Sequence, residues 1–328
     1  MNTMQSDTST LRNPARPGAR HIAARTLRSV APAYLGIVLF FVIAGAISPS
    51  FVSVGHVGTM LVLASFVMVA AFGEGLTMLT GGLDLSIPWV MTFAGVELTQ
   101  FTGGSSLAAA WAVPLVLAFC AGIGLLNGIG IVLLDLSPVV VTLATNVILQ
   151  GVVLVLTNGT PSGASPPVIS EIMNGQMLGS FPVLLLPLLA FVAVGIVALH
   201  CTTFGRRVYA VGSSQTVARL SGIRVGPVLL AVYAISGFCS GLAGIMLTGY
   251  ASQSFLGMGD PYLLPAIAAV VVGGTSPLGG KGFYAGTVGG AIMLTVLATI
   301  LAGLTLPEAI KDIVYGLCVL VAVMLVRE

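Results

Sequence analysis

Side chains able to do chemistry are few in this chain and fall in a few places. Glu74 lies in the apolar run AAFGEGLTML, and Asp84 and Ser86 follow in GGLDLSIP. Thr142, Thr145, Asn146 and Gln150 recur at spacings of three, one and four, close to a single stripe along a helix. Hydroxyl and amide groups both donate and accept hydrogen bonds, which suits a neutral polyol and equally suits pairing of one helix with another. A carboxylate inside a membrane span costs about 2.5–3.5 kcal/mol on insertion scales. Glu74 is therefore expected to face a bundle interior or water, protonated or paired, and no lysine partner for it stands out. Glu97, Asp135 and Asp260 fall near span ends, where headgroup water makes a charge cheaper. His21, His56 and His200 are isolated, and Cys120, Cys201, Cys239 and Cys318 form no C-x-x-C pair and read as small core residues. These residues give no metal site, no nucleophile with its base and no nucleic-acid patch.

The elements that position them are set by composition. A soluble domain carries roughly a quarter charged residues, whereas this chain is 57% hydrophobic and 7% charged. Apolar segments run at about 31–48, 57–80, 86–102, 107–133, 138–157, 181–200, 227–250, 262–274, 284–302 and 308–326. Crossing a hydrocarbon core takes about 20 helical residues, so the expectation is an all-α, polytopic membrane protein with about ten spans. The ten-residue alternation of an outer-membrane barrel is missing. The eighth segment is short and runs into GGTSPLGGKG, as a broken or re-entrant element would. Residues 1–30, with Arg12, Arg16, Arg20, Arg25 and Arg28 among Ser, Thr, Pro and Ala, are expected to form an irregular tail, and 31–328 a single membrane domain. The first apolar block is of full spanning length and lacks a convincing small-x-small cleavage site, so it reads as an uncleaved span rather than a signal peptide.

Charge placement orients the bundle. With the tail in the cytoplasm and ten spans, Arg206, Arg207, Arg219, Arg224, Lys281 and Arg327 also fall inside, so that eleven of the twelve basic residues lie on the cytoplasmic side, Lys311 being the exception. The segment 158–180, free of Lys and Arg, falls outside. Both termini are then cytoplasmic.

The stretch GRRVYAVGSSQTVARLSGIRV, residues 205–225, holds four arginines and no acid. Positive residues can simply fix topology, but the pattern asks for more. Ser213 or Ser214 offers an N-cap, Val217, Ala218 and Leu220 offer an apolar side, and Gly222 offers a stop. A short amphipathic helix at the membrane surface invites a protein partner.

This stretch resembles the cytoplasmic coupling segment of permease subunits of bacterial ATP-binding cassette importers of the ribose type. LTGGLDLSIPWVMTFAGV at 79–96, AIAAVVVGGTSPLGGKG at 266–282, NGIG at 127–130 and PVVVTLAT at 138–145 are similar to further blocks of that family, in order, and the resemblance covers about residues 35–328. It implies a pore-forming subunit of the bacterial inner membrane for a sugar or related polyol. The implied partners are a second permease copy or paralogue, an extracytoplasmic solute-binding protein and a separate ATPase subunit that binds the ATP and Mg; no cofactor belongs to this chain. Gly212, Ser213, Ser214, Ala218, Arg219, Leu220 and Gly222 would meet the ATPase. Glu74, Gly81, Gly82, Asp84, Ser86, Asn127, Thr142, Thr145, Asn146 and Gln150 would line the solute path.

Three rivals are weighed against this. GGTSPLGGKG combines glycines with Lys281 but lacks the G-x-x-x-x-G-K-[ST] spacing of a phosphate loop, with Gly282 in place of the magnesium-binding hydroxyl. A self-sufficient secondary transporter should carry ion-coupling carboxylates deep in several spans, and only Glu74 clearly qualifies. A branched-chain amino-acid permease of the sister family would want a differently patterned coupling segment.

Overall fold

The computed structural model describes residues 19–177, 181–304 and 307–326. Among them the chain forms thirteen α-helices: α1 (Ala19–Ile47), α2 (Val54–Leu79), α3 (Ile87–Thr102), α4 (Ser106–Leu133), α5 (Pro138–Thr157), α6 (Pro167–Asn174), α7 (Leu185–His200), α8 (Thr203–Ser213), α9 (Gln215–Leu220), α10 (Val225–Ala251), α11 (Leu263–Val272), α12 (Tyr284–Gly303) and α13 (Glu308–Val326). One antiparallel pair, β1 (Gln176–Met177) with β2 (Phe181–Pro182), sits ahead of α7.

Each of the ten expected apolar segments carries a helix, and the chain is a polytopic helical membrane protein. Helices α2, α4, α5, α10 and α12 are individually long and apolar enough to cross a membrane, while α7 joins α8 through a 62° bend. At 1.5 Å per residue the ten-residue α11 is only about 15 Å long, half a hydrocarbon core, which gives the short eighth segment its broken character. Two boundaries differ from the sequence reading. Helix α1 already begins at Ala19, because ARHIAARTLR is rich in the helix formers Ala and Arg; the expected irregular tail therefore does not reach residue 30, and its first eighteen residues lie outside the described ones. The sixth segment starts at Leu185 rather than 181, since Phe181 and Pro182 are taken up in β2.

Local chemistry explains where the helices start. Ser53, Ser105, Thr202 and Ser214 each stand at an N-cap, their side chains accepting from the backbone N–H of His56, Ala108, Gly205 and Val217 respectively. Pro88 and Pro138 occupy the first turns of α3 and α5, where a missing N–H costs nothing.

Helix α10 is the centre of the bundle and packs on α2, α3, α4 and α6. Its closest contacts with α3 and α4 bring backbone against backbone. A Cβ added at Gly237 would stand 2.2 Å from the carbonyl oxygen of Cys120 on α4, one at Gly124 would stand 2.1 Å from that of Tyr233, and one at Gly244 would stand 2.2 Å from that of Met91 on α3. Small residues permit such approach between membrane helices, where packing rather than water drives association. Helix α5, by contrast, lies at the rim and exposes Val140, Val147, Ile148 and Val155.

The connections sort to two ends. At one, Ser165 N–H donates to Ser252 O, Ala164 bridges Gln253, and Gly163 lies against Thr99. At the other, Gly280 N–H donates to Leu79 O, Tyr209 Oη donates to Gly282 O, and Gly82 lies against Pro138. This division places the 158–177 segment opposite the arginine-rich segment, as the charge pattern requires.

Candidate functional site

The break between α2 and α3 is where backbone polar groups are released inside the bundle, and polar side chains gather to satisfy them. Gly81 adopts φ +84°, a left-handed turn open to glycine, and Gly82 N–H reaches back to Thr77 O at 2.9 Å. Asp84 N–H donates to Glu74 Oε2 at 3.1 Å, and Leu85 N–H donates to Thr142 Oγ1 at 3.0 Å. Trp89 N–H, an orphan donor of the first turn of α3, is met by Asn146 Oδ1 at 3.3 Å. A cap for α3 is therefore lent by α5. Ser86, at the N-cap position itself, makes no capping bond, because its hydroxyl turns to Asp84.

Around Asp84 the bonds run on without interruption. Its Oδ1 accepts from Ser86 N–H at 3.0 Å and from Ser86 Oγ at 2.5 Å, and its Oδ2 accepts from Ser236 Oγ at 2.6 Å. Ser86 Oγ in turn accepts from Asn127 Nδ2 at 3.0 Å, and Asn127 Oδ1 accepts from Thr145 Oγ1 at 2.6 Å. One network thus ties α2, the break, α4, α5 and α10 together. Glu74, Asp84, Ser86, Asn127, Thr142 and Ser236 are all buried, and the groups around Asp84, each hydrogen-bonded to the next, hold a single arrangement.

At the end of the bundle just beyond the break, three of the sequence blocks meet. Gly212, near the end of α8, is seated on the end of α2: a Cβ there would lie 1.7 Å from Leu79 O and 2.7 Å from Gly280 N. Gly280, from the glycine-rich turn, donates to the same Leu79 O and lies against Ser213. The turn itself is closed by Ser276 N–H on Lys281 O at 2.8 Å. Helix α9 then stands proud. Ser214, not Ser213, is its N-cap, and Ser213 Oγ instead donates to Tyr209 O. The helix covers 215–220, and Gly222 at φ +80° turns the chain out just beyond it, at the expected stop.

The grouping of Val217, Ala218 and Leu220 on one side is corrected by the geometry. At 100° per residue, positions 217 and 220 are 60° apart while 218 points well away from both. Ala218 is 3% exposed and packed inward, whereas Val217 and Leu220 are 60% and 84% exposed. Leu278, at the tip of the glycine-rich turn, is 90% exposed at the same end, and Arg219 is exposed beside them.

The sequence-derived site residues therefore separate by position. Glu74, Gly81, Gly82, Asp84, Ser86, Asn127, Thr142, Thr145 and Asn146 are brought together at the break, and Gln150 is not: it is exposed on the outer face of α5. Glu97, expected near a span end, is buried on α3, and its Oε1 has no partner among the described residues. Sequence reasoning missed Ser236 and Tyr233. Ser236 sits in the small-residue run AISGFCSGLAG, where a serine is ordinary in a membrane helix, so nothing marked it as a carboxylate partner. Tyr233 reaches the break because Gly82 leaves room: a Cβ there would stand 2.3 Å from the tyrosine hydroxyl.

Comparison with known proteins gives this arrangement a context. The family model described as branched-chain amino acid transport system / permease component matches residues 57–323. The chain is 32% identical to the ribose import permease protein RbsC of Bacillus subtilis over 297 residues, covering 90% of this chain and 92% of that one. It is 28% identical to the fructose import permease protein FruG of Bifidobacterium longum, covering 92% of each. It is 30% identical to the galactose/methyl galactoside import permease protein MglC of Treponema pallidum, covering 89% of this chain and 61% of that one. No solved structure matches. The break, the glycine-rich turn and the exposed α9 all lie inside the matched region, and the chain belongs to the family of branched-chain amino acid transport system permease components, within which it is similar to ribose-type import permeases.

Proposed function

We propose that this chain is the membrane-spanning subunit of an ATP-driven importer that moves a sugar or related polyol into the cytoplasm. It works with a separate ATPase subunit that binds ATP and Mg, a second permease copy or paralogue, and an extracytoplasmic solute-binding protein. The reading places it in the bacterial inner membrane with both termini in the cytoplasm, in line with the distribution of its basic residues. The likeness to ribose, fructose and galactose import permeases supports a sugar rather than an amino acid as cargo.

The observation that carries the reading is the pairing of an exposed apolar helix with a rigid seat. Val217 and Leu220 on α9 offer a face for the ATPase, and α8 fastens that face to the end of α2 through Gly212 and Leu79. A push on α9 is thereby delivered to the break that holds the polar network. Leu220→Asp is expected to release the ATPase, because a carboxylate desolvated against an apolar groove costs several kcal/mol. Arg219→Ala should matter little, since an exposed pair is worth about 0–1 kcal/mol. Co-purification of the ATPase with solute-stimulated ATP hydrolysis in proteoliposomes reads both. Normal binding and stimulation in Leu220→Asp would remove α9 from the interface.

Gln150 is proposed to face the solute path between two permease copies. An exposed amide in a span flanked by Val147 and Ile148 is costly against lipid and is satisfied in a wet cavity. Gln150→Ala is expected to raise the half-saturating solute concentration by roughly tenfold, the weight of one lost hydrogen bond to a bound ligand, while leaving assembly unchanged. An unchanged transport curve would return Gln150 to a structural role.

A further inference from the structure

Two buried carboxyls, Glu74 and Asp84, share the α2–α3 break, and their surroundings are unequal. Asp84 receives three donated hydrogen bonds, from Ser86 N–H, Ser86 Oγ and Ser236 Oγ. The direction of the second is fixed by its neighbours: Thr145 Oγ1 donates to Asn127 Oδ1, the Asn127 amide then donates to Ser86 Oγ, and the Ser86 hydrogen is left for Asp84. Glu74 fares worse. Its Oε2 accepts from Asp84 N–H, but Thr77 has one hydroxyl hydrogen, and the shorter of its two approaches, 2.8 Å, is to the Glu74 carbonyl rather than to Oε2 at 3.3 Å. Among the described residues Glu74 Oε1, which is fully buried, has no partner, and neither has Tyr233 Oη, likewise buried and held against Gly82.

Asp84 acts electrostatically on Glu74, and among the described residues no lysine, arginine or histidine acts on either carboxyl. Tyr233 on α10 is within electrostatic reach of both. Two adjacent carboxyls without a cation do not both ionise, and the proton settles on the one whose anion is less well hydrogen-bonded.

We propose that Glu74 is a resident proton-binding site, its carboxyl neutral through a proton on Oε1, while Asp84 alone carries the negative charge of the network. The proton lets Glu74 remain in the bundle without a counter-ion and gives Oε1 a hydrogen to offer toward the break. The proposal does not depend on which solute is carried or on the ATPase contact. It concerns one proton on one oxygen.

The test is infrared spectroscopy of the purified chain at neutral pH, in a Glu97→Gln background that removes the other buried glutamate. A carboxylic-acid C=O band that disappears in Glu74→Gln and persists in Asp84→Asn is the expected result. Glu74→Gln, which keeps a neutral group of the same shape, should also melt closer to the parent than Asp84→Asn does. If Glu74→Gln does not accumulate, 13C-glutamate labelling of the Glu97→Gln parent decides: an isotope-shifted acid band supports the proposal. A spectrum with glutamate carboxylate bands alone, an acid band lost in Asp84→Asn instead, or a sodium-dependent acid band would overturn it.

Discussion

Gly212→Ala is expected to abolish uptake and to lower the melting temperature of the purified protein further than any conservative change on the surface of α8. One added methyl would lie 1.7 Å from Leu79 O and 2.7 Å from Gly280 N, and both obstacles are backbone, so neither can swing aside. Either α8 lifts off the end of α2, or α2 gives way at its last turn, where Leu79 O accepts from Gly280 N–H. Overpacking of this kind costs about 3 kcal/mol or more when no side chain can relax. Gly55→Ala is the matched control, since a Cβ there meets nothing within 4 Å. Thermal melting of both variants, together with solute uptake in proteoliposomes, checks the expectation. Equal melting and uptake in the two would show that α8 is free of α2 and that the proposed route from α9 to the break does not exist.

Asp84→Ala should be nearly as damaging for a different reason. The substitution leaves Ser86 N–H, Ser86 Oγ and Ser236 Oγ without their acceptor in a buried site, at about 1–3 kcal/mol for each donor that finds no other. An expected loss of about 3–5 kcal/mol follows, in the range seen when one member of a buried charged group is removed. Ser236→Ala should cost about 1 kcal/mol, because it deletes a donor and leaves Asp84 two others. The double variant should then be little worse than Asp84→Ala alone, since the bond that Ser236 made is already gone. Denaturation curves of the four proteins close that cycle, and additive losses would show that Ser236 and Asp84 do not act together.

What could be read from the sequence depended on whether an element was specified locally. All ten apolar segments carry helices because each has enough Leu, Val, Ile and Ala to define itself, and the α2–α3 break was visible as GGLDLSIP because glycine, a short acid and proline each have a local conformational preference. The stripe Thr142, Thr145, Asn146 was visible as a stripe, but not what it touches: that Asn146 meets Trp89 N–H and Thr145 meets Asn127 depends on how α5 is rotated against α3 and α4. Ala218 was grouped with Val217 and Leu220 from composition alone, and only the helical rotation separates it from them. Ser236 carried no sign of its role, because its partner is 152 residues away along the chain. Partnership of this kind is a property of tertiary packing, and a single sequence records it only as an ordinary serine.

The glycine contacts of α10 bear on how force would pass through the molecule. Side chains that interdigitate can yield by changing rotamer, but a carbonyl oxygen resting on a glycine Cα has nothing to rearrange. Helix α10 touches α4 in this way at Gly124 and Gly237 and α3 at Gly244, and near its far end Gly249 is closed by the side chains of Ile169 and Met173 of α6, with Ile169 O behind them. A rod of 27 residues, about 40 Å long, is thus clamped along most of its length. Because only residues 221–224 separate α9 from its first turn, a shift imposed at one membrane face would reappear at the other with little lost to deformation. The two faces would then move as opposite ends of one lever.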